Sequence, residues 1–454
     1  MALRRDDVDH SERGRVDYLP KGVFPKVARR HLGLLARRVR LITRWKRPSE
    51  FVPTRRVRVP KKFSMNASTA FSARTLTSLE RRGFGCVHDL AHGHAQYLNQ
   101  FQRSHVIDHL DRAFFQSLPS LSSAYERDMV DSFFSLGKQS YERVSPQPLL
   151  QPSASAAIDV AAKALKEIGA RTIGVLSPTF DTIPKLLMRS GLHVSYVREA
   201  TIFNYSEDLV ESLRHLDAVF VVLPNNPTGR AMSNIEFRQL VQACASTGCV
   251  LIIDSSFRFY SDLMDWDQYA VVAECEDAEA IFVEDTGKTW FTAEVKTSIV
   301  SGTRGLDSTL RRIGDEITLH VSPLGVQLVT ELIGLDIRSG VTASVDLIAR
   351  NRAALHACLA RSEGLVTPAV HKSTLSVEWL RLPIGVDSVK LTEWLFSKGV
   401  AVLPGTQFFD PDRRDLGSRF IRVALHRRPS EFDSSINELV HRAETFIQEV
   451  GYVP

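Results

Sequence analysis

The sequence predicts an α/β fold, a parallel sheet covered by helices, followed by a smaller mixed region. Two observations predict it. After Ser153, short apolar runs such as Ala218 to Leu223 and Val250 to Ile253 alternate with helical stretches, the rhythm of strands buried between helices. Several of these runs also end on isolated polar residues, Asp254 after Val250 to Ile253 and Lys288 soon after Ile281-Phe282-Val283, where open α/β sheets bind ligands. With 454 residues, the chain exceeds what one core usually holds, about 250 to 300, so two or more domains are expected.

Taken in order, residues 1–65 read as a basic N-terminal extension and linker. Residues 1–62 carry 19 Lys and Arg against 6 Asp and Glu, leaving 38 against 46 for the rest. The basic charge thus belongs to an arm, and the body is mildly acidic. Within the arm, Leu32, Leu35, Val39, Ile42 and Trp45 recur at helical spacing among arginines, a basic amphipathic helix. Such a helix serves a membrane surface, a nucleic acid or a partner, or packs on the body of its own chain or on a second subunit, the reading preferred here. Asp6, Asp7, Asp9, Glu12 and Asp17 argue against a transit peptide, and no apolar h-region marks a secretory signal. Pro48, Pro53 and Pro60 mark the linker.

Residues 66–145 read as a mainly helical segment with a Gly- and His-rich turn at Gly83 to Gly93. Residues 146–325 read as the large domain, with strands at Ile173 to Leu176, Val194 to Val197, Ala218 to Leu223, Val250 to Ile253, Ala280 to Val283 and Thr297 to Ser301. Residues 326–454 read as the smaller C-terminal domain, with strands at Ser376 to Leu382, Ala401 to Leu403 and Phe420 to Leu425.

Composition excludes several classes. No run of about 18 apolar residues exists, so no membrane span is expected. Five scattered cysteines with no CxxC pair make a poor disulfide framework or zinc site, and a cytoplasmic location follows as the default. His88, His92 and His94 lack a Cys or carboxylate cluster to complete a metal site, so no metal is expected and a substrate contact suits them better. Gly287-Lys288-Thr289 resembles the end of a P-loop, but that motif needs glycine where Phe282 stands.

The chemistry is carried by residues at strand ends. Lys288 is placed to form a Schiff base with a carbonyl. Asp254, at the end of a buried run, needs a cationic or hydrogen-bonded partner, which a pyridinium nitrogen supplies. Asn226 sits in Pro224-Asn225-Asn226-Pro227-Thr228-Gly229, where two prolines stiffen the backbone and Gly229 permits a positive φ. Ser153, Ala154 and Ser155 open a helix with small residues that let backbone amides approach an anion. Phe180, just after a strand, can stack on a flat ring. Arg422, inside the apolar strand Phe420 to Leu425, needs an anion such as a carboxylate.

In that order these segments resemble the class I/II aminotransferase family of fold-type I pyridoxal phosphate (PLP) enzymes, over roughly residues 85 to 454. Asn225-Asn226-Pro227-Thr228-Gly229, Ile252-Ile253-Asp254 and Gly287-Lys288 carry most of the resemblance. It implies a fold-type I transferase, with a large domain holding a mostly parallel seven-stranded sheet and a smaller α+β domain built from both chain ends. It implies a homodimer whose active sites lie at the interface, with residues 66–145 near the substrate entrance. By resemblance, Lys288 is the Schiff-base lysine and proton shuttle, Asp254 pairs with the pyridine nitrogen, and Asn226 binds the ring oxygen. Phe180 stacks on the ring, Ser153 to Ser155 surround the phosphate, and Arg422 takes the substrate α-carboxylate.

Three positions depart from the family pattern. Phe257 stands where a ring-oxygen-binding Tyr is usual, Asp285 where a phosphate-binding Ser is frequent, and Lys296 where Arg is preferred. Thr286 or Thr289 is expected to replace the missing serine, and Lys296 keeps the charge without the bidentate fork. The expected reaction is amino transfer on an α-amino acid through a carbanion delocalised into the ring. The departures keep elimination, replacement, cyclisation or oxidation open, on substrates including S-adenosylmethionine-like ones. A PLP-binding transcription regulator is a remote alternative, since residues 1–65 lack the second helix and tight turn of a helix-turn-helix; no nucleic-acid partner is expected.

Overall fold

The computed structural model describes residues 74–117, 122–204, 208–260, 265–292, 295–339, 342–362 and 373–449. All of these lie in one unit, Met65–Pro454. The basic arm and its amphipathic helix lie outside the described residues.

Among the described residues, three α-helices precede the main sheet: α1 (Leu76–Gly83), α2 (Gln100–Ser117) and α3 (Ser122–Gly137). Thr75 caps α1 by accepting from the Ser78 amide, and Leu76 and Leu79 are buried. The sheet has seven strands: β1 (Leu149–Gln151), β2 (Thr172–Ser177), β3 (His193–Arg198), β4 (Ala218–Val222), β5 (Val250–Asp254), β6 (Ala280–Asp285) and β7 (Ser298–Gly302). Their order is β1-β7-β6-β5-β4-β2-β3. Strands β2 to β6 are parallel neighbours, and β7 runs antiparallel to β6 and β1, so the sheet is mostly parallel.

Helices cover both faces because alternate side chains point to opposite sides. In β5, Val250 and Ile252 join a core with Ala157, Ile158, Ala161 and Leu165 of α4 (Ala154–Glu167). Leu251 and Ile253 join the opposite core with Phe237, Leu240 and Val241 of α5 (Asn234–Thr247). A Ser233–Glu236 capping box starts α5, and Gly248 ends it at φ 71°. Burying one such Val or Ile contributes about 1.5–3 kcal/mol, so packing, not local propensity, holds the strands.

The register positions the site. Val222 of β4 lies opposite Asp254 of β5, which lies opposite Val283 of β6. The carboxyl ends of three neighbouring strands therefore release Asn226, Asp254 and Lys288 at one edge.

A second sheet holds β8 (Val377–Arg381), β9 (Leu403–Pro404) and β10 (Phe420–Ala424), antiparallel in the order β9-β10-β8. Around it pack α6 (Thr342–Leu359), α7 (Ser388–Ser397) and α8 (Pro429–Glu449). His88–Asp89 pairs in parallel with Val400–Ala401, tying the segment after α1 to the C-terminal region.

Two details differ from the sequence expectation. Strand β1, Leu-Leu-Gln between Pro148 and Pro152, is too short to show a period. The strand expected at Ala401 to Leu403 divides at Val402, with Val400–Ala401 in one sheet and Leu403–Pro404 in the other.

Candidate active site

The polar residues at the sheet edge line one cleft of about 810 Å³, open mouth included. Ser153, Ala154, Ser155, Phe180, Asn226, Asp254, Lys288 and Lys296 all face it, as do Phe257 and Asp285. Thr286, Thr289, Arg422, His88 and His92, also singled out in the sequence, are not in its wall.

Asp254 is buried, and its Oδ1 accepts from the Ser256 amide (3.0 Å) and hydroxyl. Burial pushes its carboxyl above the usual range, against these two bonds. Among the described residues no cationic side chain hydrogen-bonds to it. Lys288 is half-buried; burial lowers its ammonium, opposed by Glu80 and Asp285. Its Nζ lies 3.4 Å from Nε2 of His94, and Nζ of Lys296 lies 3.3 Å from the same nitrogen. His94 Nδ1 meets His92 Nε2 at 3.0 Å, and His92 Nδ1 meets Gln96 Nε2 at 2.7 Å. Burial first, then Lys288, lowers both imidazoles, His92 to about 3, so the pair stays neutral between the lysines and the protein body. Gly287 permits this approach: a Cβ there would lie 3.0 Å from Lys296 Cδ and 3.1 Å from His94 Cδ2.

At the other end, Ser153 caps α4 by accepting from the Ala156 amide at 3.2 Å, and Ala154 and Ser155 form the first turn. The free amides of that turn suit an anion. Asn226 Oδ1 accepts from Arg422 at 3.3 Å, leaving its amide nitrogen for a ligand. In the same turn, Gly229 has φ 77°, as the turn requires, and Asn225 Nδ2 donates to Glu199 at 2.7 Å. Phe257, in the position of the usual Tyr, presents a ring with Lys288 Nζ 5.7 Å from its centroid and no hydrogen-bond donor.

The remaining positions correct the sequence expectation in detail. Thr286 does not replace the phosphate-binding serine, because its hydroxyl donates to the Thr297 carbonyl (2.9 Å) and accepts from the Thr297 amide (3.1 Å). The Thr289 hydroxyl is buried outside the cleft. Asp285 does face the cleft and accepts from Ser298 at 2.9 Å. Arg422 is engaged already: its NH2 donates to Glu80 Oε1 and to the Ala91 carbonyl, both at 2.7 Å. Glu80, which lines the cleft and also accepts from the Gly93 amide at 3.2 Å, carries no motif. Its one sequence signal is a carboxylate on the apolar stripe Leu76, Leu79, Glu80, Gly83 of α1.

These residues fit pyridoxal phosphate. A buried carboxylate without a cationic partner, an amine of lowered basicity, a ring above the cleft and a helix N-terminus occur at one strand edge, matching pyridinium nitrogen, aldehyde, ring face and phosphate.

Comparison with known proteins agrees. The profile described as aminotransferase class I and II matches residues 93–433. The aromatic aminotransferase ISS1 of Arabidopsis thaliana is 26% identical over 242 residues, 51% of this chain and 59% of that protein, so the chain spans about three fifths of that relative's length. The structure of MppP soaked with the product 2-ketoarginine superposes with a TM-score of 0.72 at 28% identity, covering 78% of this chain and 99% of that one. Aspartate aminotransferase from Thermus thermophilus with maleate shares the fold, with a TM-score of 0.64, 18% identity and coverage of 83% and 97%. Members of the matched family are pyridoxal phosphate-dependent. With a match of that extent over a fold-type I architecture, this chain belongs to the aminotransferase class I and II family.

Proposed function

We propose that this protein uses pyridoxal phosphate to transfer the α-amine of an amino acid with a cationic side chain to a 2-oxo acid acceptor, leaving the donor as its 2-oxo acid. The observation that carries the substrate class is the buried Arg422–Glu80 pair beside Lys288. Separating a buried pair leaves two unpaired charges, which is costly unless each finds a new partner. A substrate with an α-carboxylate for Arg422 and a cationic side chain for Glu80 exchanges one internal pair for two. That MppP, whose structure was solved after soaking with the product 2-ketoarginine, superposes on this chain supports such a substrate.

When bound, pyridoxal phosphate condenses with amines and draws electrons from the α-carbon. Around it, Asp254 would hold a proton on the ring nitrogen, Asn226 would donate from Nδ2 to the ring oxygen, and Phe180 would cover a ring face. The first turn of α4 and Lys296 would hold its phosphate. Lys288 Nζ moves the proton at the α-carbon, aided by its lowered basicity, because a neutral amine is the form that accepts. His94 Nε2, within 3.4 Å, holds that amine in place. Phe257 leaves the ring oxygen one hydrogen bond short of the usual family arrangement. The same reading includes a homodimer, checked by sedimentation of the holoprotein.

The test is turnover of arginine or lysine with and without a 2-oxo acid acceptor. Amino transfer requires the acceptor, whereas turnover without it would assign the chain to the oxidative or replacement alternatives. Lys288→Ala should abolish the visible absorbance of bound cofactor and all turnover. Glu80→Gln should lower kcat/KM for cationic substrates by about 10- to 100-fold, the loss of one charge-assisted bond, and leave neutral substrates less affected. Equal losses for both would remove Glu80 from side-chain recognition.

A further inference from the structure

Away from the cleft, the packing of α2 against the helix Pro323–Ser339 brings together three groups that the proposed reaction does not use. His105 and His109 lie one turn apart on α2, and Glu331 lies on the facing helix. One donor atom from each falls within 4.8 Å of the other two, and all three residues are half-buried. We propose that His105, His109 and Glu331 form a divalent transition-metal site, of the kind zinc occupies, that ties α2 to the helix Pro323–Ser339.

The arrangement has the parts such a site needs. Two imidazoles and one carboxylate are a recurrent zinc donor set, with the fourth position left to water. Bonds of about 2.0–2.2 Å put tetrahedral donors roughly 3.4 Å apart, and His105 Nε2 and Glu331 Oε2 already stand at 3.2 Å. His109 supplies the argument against a plain ion pair. Its Nδ1 lies 2.8 Å from the His105 carbonyl oxygen, an acceptor, so Nδ1 must carry the hydrogen, and the neutral ring then has its lone pair on Nε2. A hydrogen bond from the far ring nitrogen to a carbonyl is how ligating histidines are oriented. The ring stacks on His105 with centroids 4.0 Å apart, which brings both imidazoles to the same side. A His105–Glu331 pair has no need of this third group, whereas a metal does. All three residues sit at mid-helix and are half-buried. Binding balances by proton release, the metal replacing the hydrogen between His105 and Glu331.

Untagged holoprotein, stripped with a chelator and dialysed, should be titrated with zinc chloride by calorimetry. One zinc per chain is expected, with affinity lowered about tenfold or more in His109→Ala and in Glu331→Gln. His109→Ala is the decisive variant, since no hydrogen bond from His109 reaches another helix among the described residues, and its pyridoxal phosphate loading and circular dichroism should match wild type. Excess zinc should raise the melting temperature of wild type and not of His109→Ala. Absence of stoichiometric zinc uptake, or uptake undiminished in both variants, would overturn the proposal. Neither result bears on turnover at Lys288, which is measured separately.

Discussion

Asp254 lies buried at a strand end, and among the described residues only the neutral donors of Ser256 hydrogen-bond to it, at a measurable cost. Its folded pKa is raised above 3.8, so its stabilising effect is full below that value and is lost as pH rises through the folded value. Asparagine removes the charge and keeps the acceptor: Asp254→Asn apoprotein should melt at the wild-type temperature or higher, while its affinity for pyridoxal phosphate falls about tenfold or more. A lower melting temperature with unchanged affinity would take Asp254 out of the cofactor site. His92 shows the opposite sign. Its folded pKa of about 3 lies below 6.5, so the unfolded chain takes up the proton first and stability is lost as pH falls from 6.5 toward 3. The His92 ring resonance, assigned by its loss in His92→Asn, should stay flat from pH 5 to 8, and a midpoint near 6.5 would show a solvated ring. Asn226, Asp254 and Lys288 were legible in the sequence because each follows an apolar run that locates it at a sheet edge. Glu80 was not, because a single acidic residue on a short helix has no pattern to mark it.

Among the elements, the segment that follows β6 does the most to shape the site. It carries Lys288 and, two residues on, the buried Trp290, whose Nε1–H donates to Asp336 Oδ2 at 2.7 Å. Burial raises the Asp336 carboxyl to about 6, with the indole bond opposing. Its contribution to stability is full below 3.8 and is lost as pH rises through about 6. Trp290 emission should therefore titrate with a midpoint near 6 and cease to do so in Asp336→Asn, whose stability relative to wild type should grow between pH 4 and 7; a flat emission curve in wild type would refute the link. Strands β2 to β7 of the main sheet were readable from their apolar runs, since buried strands need no polar alternation, whereas the three-residue β1 was not. The division at Val402 was not readable, because a continuous apolar run does not say which neighbour each residue pairs with.

At the scale of the molecule, the main sheet and the C-terminal sheet have separate cores, and beneath the active edge of the first lies the fully buried pair Arg258 and Glu284. Arg258 Nε donates to the two carboxylate oxygens at 3.1 and 3.2 Å, and Gln268 accepts from the guanidinium at 2.6 Å. Arg258→Met should strand the Glu284 charge and lower unfolding free energy by about 3–5 kcal/mol in urea titration; a loss under about 1 kcal/mol would mean that Glu284 is protonated in the fold. The fold class and the three polar groups gathered at one sheet edge could be read from the chain alone, because apolar run length and the residue ending each run are local properties. Only the tertiary structure decided that Glu80 reaches Arg422 across 342 positions, His94 reaches Lys288 across 194, and His105 reaches Glu331 across 226. Such contacts depend on how helices are packed against sheets and one another, and no local period of the sequence encodes that placement.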